Sequence, residues 1–246
     1  GRRDEAAMRF REAEQMHSEW QPGYPLLYSV RGHQYCDLLL AESERAAWRR
    51  DEGGGMRDEL LAACRAVSQR AAQTIKIAEQ NNWLLDIALD HLTLGRAALY
   101  EAILSSASPS YLIPPPSSLF SAVSGLRRAG RQDHLPRGLL TRAWLRHLSG
   151  ARSYAQAGPD SAQSDLDEAW DIATRGGMRL FQADIHLYRA RLFGGMRDEG
   201  GGMKVAYPWE SVEADLAAAE TLINKCGYER RKEELEDAKR ALLGTQ

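Results

Sequence analysis

LDHLTLGRAALYEAI, residues 89–103, is the stretch on which the fold turns. Its apolar residues recur at intervals of three and four, the period of an α-helix. Its centre carries the pair Leu94-Gly95. A related helix is written in LLYSVRGHQYCDLLL (26–40), with Gly32 and, three residues on, Tyr35. LLTRAWLRHL (139–148) and DIHLYRARLF (184–193) hold Ala143 and Ala190 at the comparable place. These are the A helices, and strand signals are nearly absent from the rest of the chain.

Between them lies a second pattern: a small residue, an apolar residue four on, and alanine seven on. It appears as Ala6/Phe10/Ala13, Ala71/Ile75/Ala78, Ala122/Leu126/Ala129, Ala162/Leu166/Ala169 and Val212/Leu216/Ala219. Positions i, i+4 and i+7 share one helix face. Small residues at both ends let a neighbouring helix come close. The order is B, A, B, A, B, A, B, A, B, followed by a last helix over YERRKEELEDAKRALL. A helical bundle without repeats is the alternative reading of the same periodicity.

The alternation resembles the tetratricopeptide repeat, whose helix A has a Leu-Gly…Tyr core and whose helix B has Ala…Phe/Tyr…Ala. Gly32/Tyr35 and Leu94/Gly95 match helix A, and the five triplets match helix B. The likeness covers nearly the whole chain. It departs from the family in spacing: the triplets start 65, 51, 40 and 50 residues apart, against a repeat of about 34. The usual Trp and Pro landmarks are mostly missing. The resemblance implies an all-α fold, a right-handed α-solenoid of antiparallel helix hairpins with about ten helices, forming a single domain over 1–246. LLYSVRGHQYCDLLL, AVSGLRRAGRQDHLPRGLLTRA, DLDEAWDIATRGGMRLFQADIHLYRARL and CGYERR are also similar to helical repeats at the C-terminal end of bacterial signalling proteins. There such repeats follow NTPase domains of the STAND or NACHT type, or TIR or caspase-like effectors. The opening GRRDEAAMRFREAE has no initiator Met and is already an amphipathic helix pattern, so a piece of a longer protein is expected.

Composition narrows the function classes. A net charge of −2 gives no electrostatic case for nucleic acid or an anionic membrane. No apolar run reaches the ~18 residues of a membrane span. Cys36, Cys64 and Cys226 are odd in number, far apart and in helical contexts, against a disulfide framework or zinc site and for a reducing, cytoplasmic setting. Arginine outnumbers lysine 27 to 5, which suggests a GC-rich gene.

The septet RDEGGGM occurs at 50–56 and again at 197–203, both times in an A-to-B turn. Enlarged loops are expected near 49–56, 105–118, 149–161 and 194–208. Three glycines offer no side chain to a ligand and lose much entropy on ordering. Neither copy has the strand before it or the Lys-Ser/Thr after it that a phosphate loop needs. The septet therefore reads as a tolerated surface insertion. After the first copy, MRDELL begins a helix, with Asp58 and Glu59 near its N-terminus.

Catalytic signatures do not stand out. His17, His33, His91, His134, His147 and His186 form no HExxH or His-x-His pair, and there is no GxSxG. No catalytic, cofactor or metal residue is assigned. In RRAGRQDHLPRGLL (127–140), Gly130 can end a helix, and Asp133 can cap the next with Pro136 in its first turn. His134, Arg137 and Arg142 are left for a partner or an adjacent repeat.

In tetratricopeptide arrays the A helices line the concave face. Stepping along them from Gly32, Gly95, Ala143 and Ala190 gives the candidate partner-binding residues Ser29, His33, Asp37, Arg96, Tyr100, Trp144, His147 and Arg191. The alternative for each is packing on the neighbouring B helix. The expected function is a non-catalytic module for a protein or peptide ligand, the sensor or regulatory region of a larger signalling protein. A self-associating scaffold or free-standing adaptor is the second reading, and an enzyme with an unrecognised site the third.

Overall fold

A computed structural model describes residues 2–49, 54–105, 117–149, 160–194 and 207–244. Most of the four expected loops, and all of the second septet, lie outside them. Regular structure among the described residues is entirely helical, with eleven α-helices and no strand. The chain divides into two compact units, 1–131 and 132–246.

The first unit holds α1 (Arg3–Trp20), α2 (Ser29–Leu39), α3 (Ala41–Arg49), α4 (Gly54–Gln80), α5 (Leu84–Ser105) and α6 (Ser117–Arg128). The A helix read from 26–40 starts only at Ser29, and a separate helix, α3, follows it directly. Pro22 and Pro25 keep the chain non-helical up to Tyr28, and the backbone turns at the fully buried Leu40. The end of the first septet is helical, since α4 starts at Gly54. Helix α5 is the hub, packed on α2, α3, α4 and α6. Its glycine is sterically required: a Cβ on Gly95 would fall 2.4 Å from Leu119 Cδ2. On the same interface a Cβ on Gly125 would lie 2.9 Å from that of Ala88.

The second unit holds α7 (Leu135–Leu148), α8 (Ala162–Arg175), α9 (Arg179–Phe193), α10 (Val212–Cys226), a 3-10 turn (Glu229–Arg231) and α11 (Lys232–Leu243). Here α9 is the hub, packed on α7, α8, α10 and α11. Its face Ala183/Leu187/Ala190 meets Leu216, Ala219 and Ile223 of α10 and Leu235 and Ala238 of α11. The N-cap position of α7 is His134 rather than Asp133, whose carboxylate lies 3.6 Å from the His134 ring.

Helices α4, α6, α8 and α10 end the same way. Asn82, Gly130, Gly177 and Gly227 have φ of 54°, 68°, 60° and 63°. The next amide N–H reaches back five residues in each case: Trp83 to Ala78, Arg131 to Leu126, Met178 to Ala173 and Tyr228 to Ile223. This is the left-handed cap that satisfies the last carbonyls of a helix and reverses the chain. These four residues are 48, 47 and 50 positions apart, far more even than the triplet spacing. Aligned on them, the residues eleven, eight and four positions before are Ala71/Thr74/Ala78, Leu119/Ala122/Leu126, Leu166/Ala169/Ala173 and Leu216/Ala219/Ile223, all buried. Ten positions after come Leu92, Leu140 and Leu187, and thirteen after come Gly95, Ala143 and Ala190, again all buried. The alanine triplets start at different points of this register, which is why their spacing looks irregular. The triplet on α1 differs in kind, with Ala13 exposed and no residue of that helix buried.

The arginines have a structural use. Arg96, 1% exposed, meets Asp37 at 2.7 Å and the fully buried Glu44 at 3.0 Å. Arg142 takes both oxygens of Asp165, at 2.6 and 3.0 Å. Arg231 pairs with Asp184 at 2.8 Å and Glu234 at 2.5 Å, and Arg191 adds a second bond to Glu234 at 3.1 Å. The planar guanidinium can hold two acceptors at once, which a lysine ammonium cannot do in the same geometry. Removing one partner of such a pair costs about 3–5 kcal/mol, because a charge is left buried alone.

Candidate functional site

A chemically mixed surface of the first unit is built around Tyr28. The left-handed Asn82 turns the chain out of α4 and delivers Trp83. The connector 21–28, which turns at Pro22-Gly23 with the Tyr24 N–H donating to the Gln21 carbonyl at 2.9 Å, brings Tyr24 and Tyr28 onto that indole. Tyr28 and Trp83 stack at 5.5 Å between centroids, and Tyr24 touches both at 6.1 and 6.4 Å. His17 from α1 packs on the other side of Tyr28 at 5.6 Å.

A recess opens on each side of Tyr28 and Ser29. One, of about 320 Å³, is bordered by His17, Trp20, Leu27 and Arg31. The other, of about 360 Å³, is bordered by Trp83, Leu84, Leu85 and Asp86. Two large apolar side chains stand uncovered at the rims, Trp20 at 82% exposed and Leu84 at 45%. Amphipathic aromatic surface of this kind is typical of interfaces.

The floor is acidic. Ser29 adopts φ +57°, a conformation that costs a non-glycine residue roughly 1–2 kcal/mol. Its hydroxyl donates to Asp86 Oδ1 at 2.6 Å, tying the start of α2 to α5. One turn along α5, Asp90 accepts from Thr74 at 2.8 Å through Oδ1, while its buried Oδ2 has no partner. Burial pushes the Asp90 carboxyl up to about 7; Asp86 adds to the rise, and Thr74 and the Arg70 charge oppose it. Six carboxylates are buried among the described residues: Glu44, Asp86, Asp165, Asp184, Asp215 and Glu234. Five have an arginine or histidine partner. Asp86 has only the Ser29 hydroxyl.

The eight residues predicted from the A helices are distributed differently. Ser29 belongs to the groove. His33 bonds Thr93 at 3.1 Å between α2 and α5. Asp37, Arg96 and Tyr100 form one buried knot, with Arg96 Nε donating to the Tyr100 hydroxyl at 3.2 Å. In the second unit Trp144 is 3% exposed and meets Tyr188 edge-on at 6.2 Å. His147 lies 5.7 Å from Phe193, and Arg191 is paired to Glu234. Arg96, Tyr100 and Trp144 are buried. The pairing of Arg96 with Asp37 and Glu44, the ring contact of Trp144 and the pairing of Arg191 reach α2 and α3, α9 and α11 respectively, rather than a neighbouring B helix. Helices α5 and α9, which carry Arg96, Tyr100 and Arg191, are the hubs of their units, with neighbours on several sides. Arg137 and Arg142, left over in the sequence reading, likewise pair inside the second unit with Asp184 and Asp165.

The second unit has a polar cluster of its own. Asp215 receives the Tyr207 hydroxyl and lies 2.5 Å from His186 Nδ1. Arg189 sits between the Trp170 and Trp209 rings, 4.8 and 4.5 Å from their centroids, with Asp167 at 3.5 Å. Burial and Asp215 hold the Tyr207 phenol far above its ordinary value, so it remains a hydrogen-bond donor. The cluster fastens 207–209 to α8, α9 and α10. Among the described residues no group of three or more His, Cys, Asp or Glu side chains is placed to hold a metal ion, and no helix is long and apolar enough to cross a membrane.

The sequence reading did not single out Tyr24, Tyr28, Trp83 or Asp86. A signal existed in QPGYPLLY (21–28), two aromatics among prolines directly after Trp20, and in NNW (81–83). The two segments are more than fifty residues apart, and only the α4–α5 turn brings them together. Comparison with protein-family models, curated proteins and solved structures returns no match to this chain.

Proposed function

We propose that this chain is a non-catalytic helical-repeat module that binds a protein or peptide segment in the groove around Tyr28. The observation that carries this reading is the pair of recesses sharing Tyr28 and Ser29, with aromatic walls, the exposed Trp20 and Leu84 at the rims, and a carboxylate at the floor. The even spacing of the left-handed caps and the common buried register favour a tetratricopeptide-like solenoid, in which such modules serve as recognition surfaces. By the resemblance of its A and B helices, the module acts in the cytoplasm as the sensor or regulatory region of a larger bacterial signalling protein.

Selection of random peptides displayed on phage tests the reading. Enriched peptides should lose binding to Tyr28→Ala and Trp83→Ala variants of unchanged helicity. Enriched peptides that bind both variants normally would refute the groove. A second reading, self-association, is favoured by α1, which exposes Met8 at 42% and Met16 at 70% beside Trp20. Sedimentation equilibrium separates the two: a Met16→Glu, Trp20→Ser variant should remove any dimer.

A further inference from the structure

Resting on that groove, we infer that the recess between Tyr28, Trp83 and Asp86 is a subsite for a guanidinium group, an arginine side chain of the bound peptide. The first argument is charge. Four of the six buried carboxylates are paired with an arginine of the chain, and a fifth, Asp215, lies against the His186 ring and receives the Tyr207 hydroxyl. Asp86 is nine-tenths buried, the most exposed of the six at 9%, and no basic side chain among the described residues pairs with it. A buried anion without a counter-charge is costly, and a ligand cation removes that cost.

The second argument is geometry. Ser29 occupies Oδ1 of Asp86 and no described residue bonds Oδ2, so one oxygen remains for a donor. Asp86 lines the same recess as the stacked rings of Tyr28 and Trp83. An aromatic face beside a carboxylate suits a flat cation, which can stack and donate in its own plane. The chain uses this arrangement twice for its own arginines. Arg189 lies between two indoles with Asp167 alongside, and Arg70 lies 5.0 Å over the Tyr35 ring while bonding Glu14 at 3.0 Å. The recess of about 360 Å³ has room for the guanidinium and part of its stem.

The test is a titration of the full chain with N-acetyl-L-arginine methylamide, followed by two-dimensional amide NMR. The expected result is saturable shifts at the Trp83 indole and the Ser29 amide, with a dissociation constant on the order of 1 mM. The citrulline analogue, which keeps the shape without the charge, should produce none. Asp86→Asn retains an acceptor for Ser29 and should weaken binding at least about tenfold, with the rest of the spectrum unchanged. Trp83→Phe, which keeps a stacking ring, should bind more weakly but still saturate. Absent saturation, an equal response to citrulline, an equal response to the lysine analogue, or undiminished binding to Asp86→Asn would each overturn the inference. Failure here is distinguishable from failure of the groove. Selected peptides that need Tyr28 but carry no arginine would sink the subsite and leave the module. A saturable arginine response with no selectable peptide would do the reverse.

Discussion

Asp90 should make the stability of the first unit fall as pH rises, and Asp90→Asn should remove that dependence. The carboxyl titrates at 3.8 when unperturbed and is pushed up to about 7 in the fold. Between those values the folded state binds more protons than the unfolded state. Stability is then full below about pH 4 and is lost as pH climbs through 7. The full displacement of some three pH units corresponds to at most about 4 kcal/mol, at 1.36 kcal/mol per unit. Between about pH 5 and about pH 8 the loss is about 2–3 kcal/mol by the same relation. Other carboxyls titrate too, so the quantity to measure is the difference between variant and parent. Asparagine keeps an acceptor for the Thr74 hydroxyl and carries no charge. Urea unfolding, read from the Trp83 indole so that it reports this unit, should show the variant gaining about 2–3 kcal/mol on the parent over that range. A difference that stays flat within about 0.5 kcal/mol would refute the reasoning and mean that water or a cation solvates Asp90 Oδ2.

Three further outcomes follow from the packing. Arg96→Met leaves Asp37 and the fully buried Glu44 without their cation and should cost about 3–5 kcal/mol in urea unfolding, partly restored by adding Glu44→Gln. Gly95→Ala places a Cβ 2.4 Å from the buried Leu119 and should cost about 1–3 kcal/mol; Gly130→Ala, strained only by its φ of +68°, should cost about 1 kcal/mol by the same assay. Burial pushes the Cys36 and Cys64 thiols up to about 11, so an aromatic disulfide reagent at about pH 8 should label Cys226 quickly and those two only on unfolding.

Helix content was plain in the sequence because apolar period is a local property, and the period of 89–103 alone predicts α5. Gly130 was also legible as a helix end, since a glycine between Arg128 and Asp133 has few other uses. The repeat length was not, because the alanine triplet can slide by one turn and still match a helix face. What sets the register is the left-handed cap, and one of its four instances is an asparagine. The buried guanidinium clasps were not legible, since no single sequence pairs Arg96 with Glu44 or Arg231 with Asp184.

The candidate groove shows the same division. Sequence by itself determined that the chain would form helices, where most of them would lie, and which residues were small enough for close helix approach, for these depend on neighbours within two turns. Which polar residues would be buried, which carboxylate would lack a counter-charge, and which aromatics would share a recess were decided by tertiary structure. Tyr28 and Trp83 meet, and Ser29 reaches Asp86, across 55 and 57 residues. Contacts at such separations arise only when α2, α4 and α5 pack, and no periodicity in the chain encodes them.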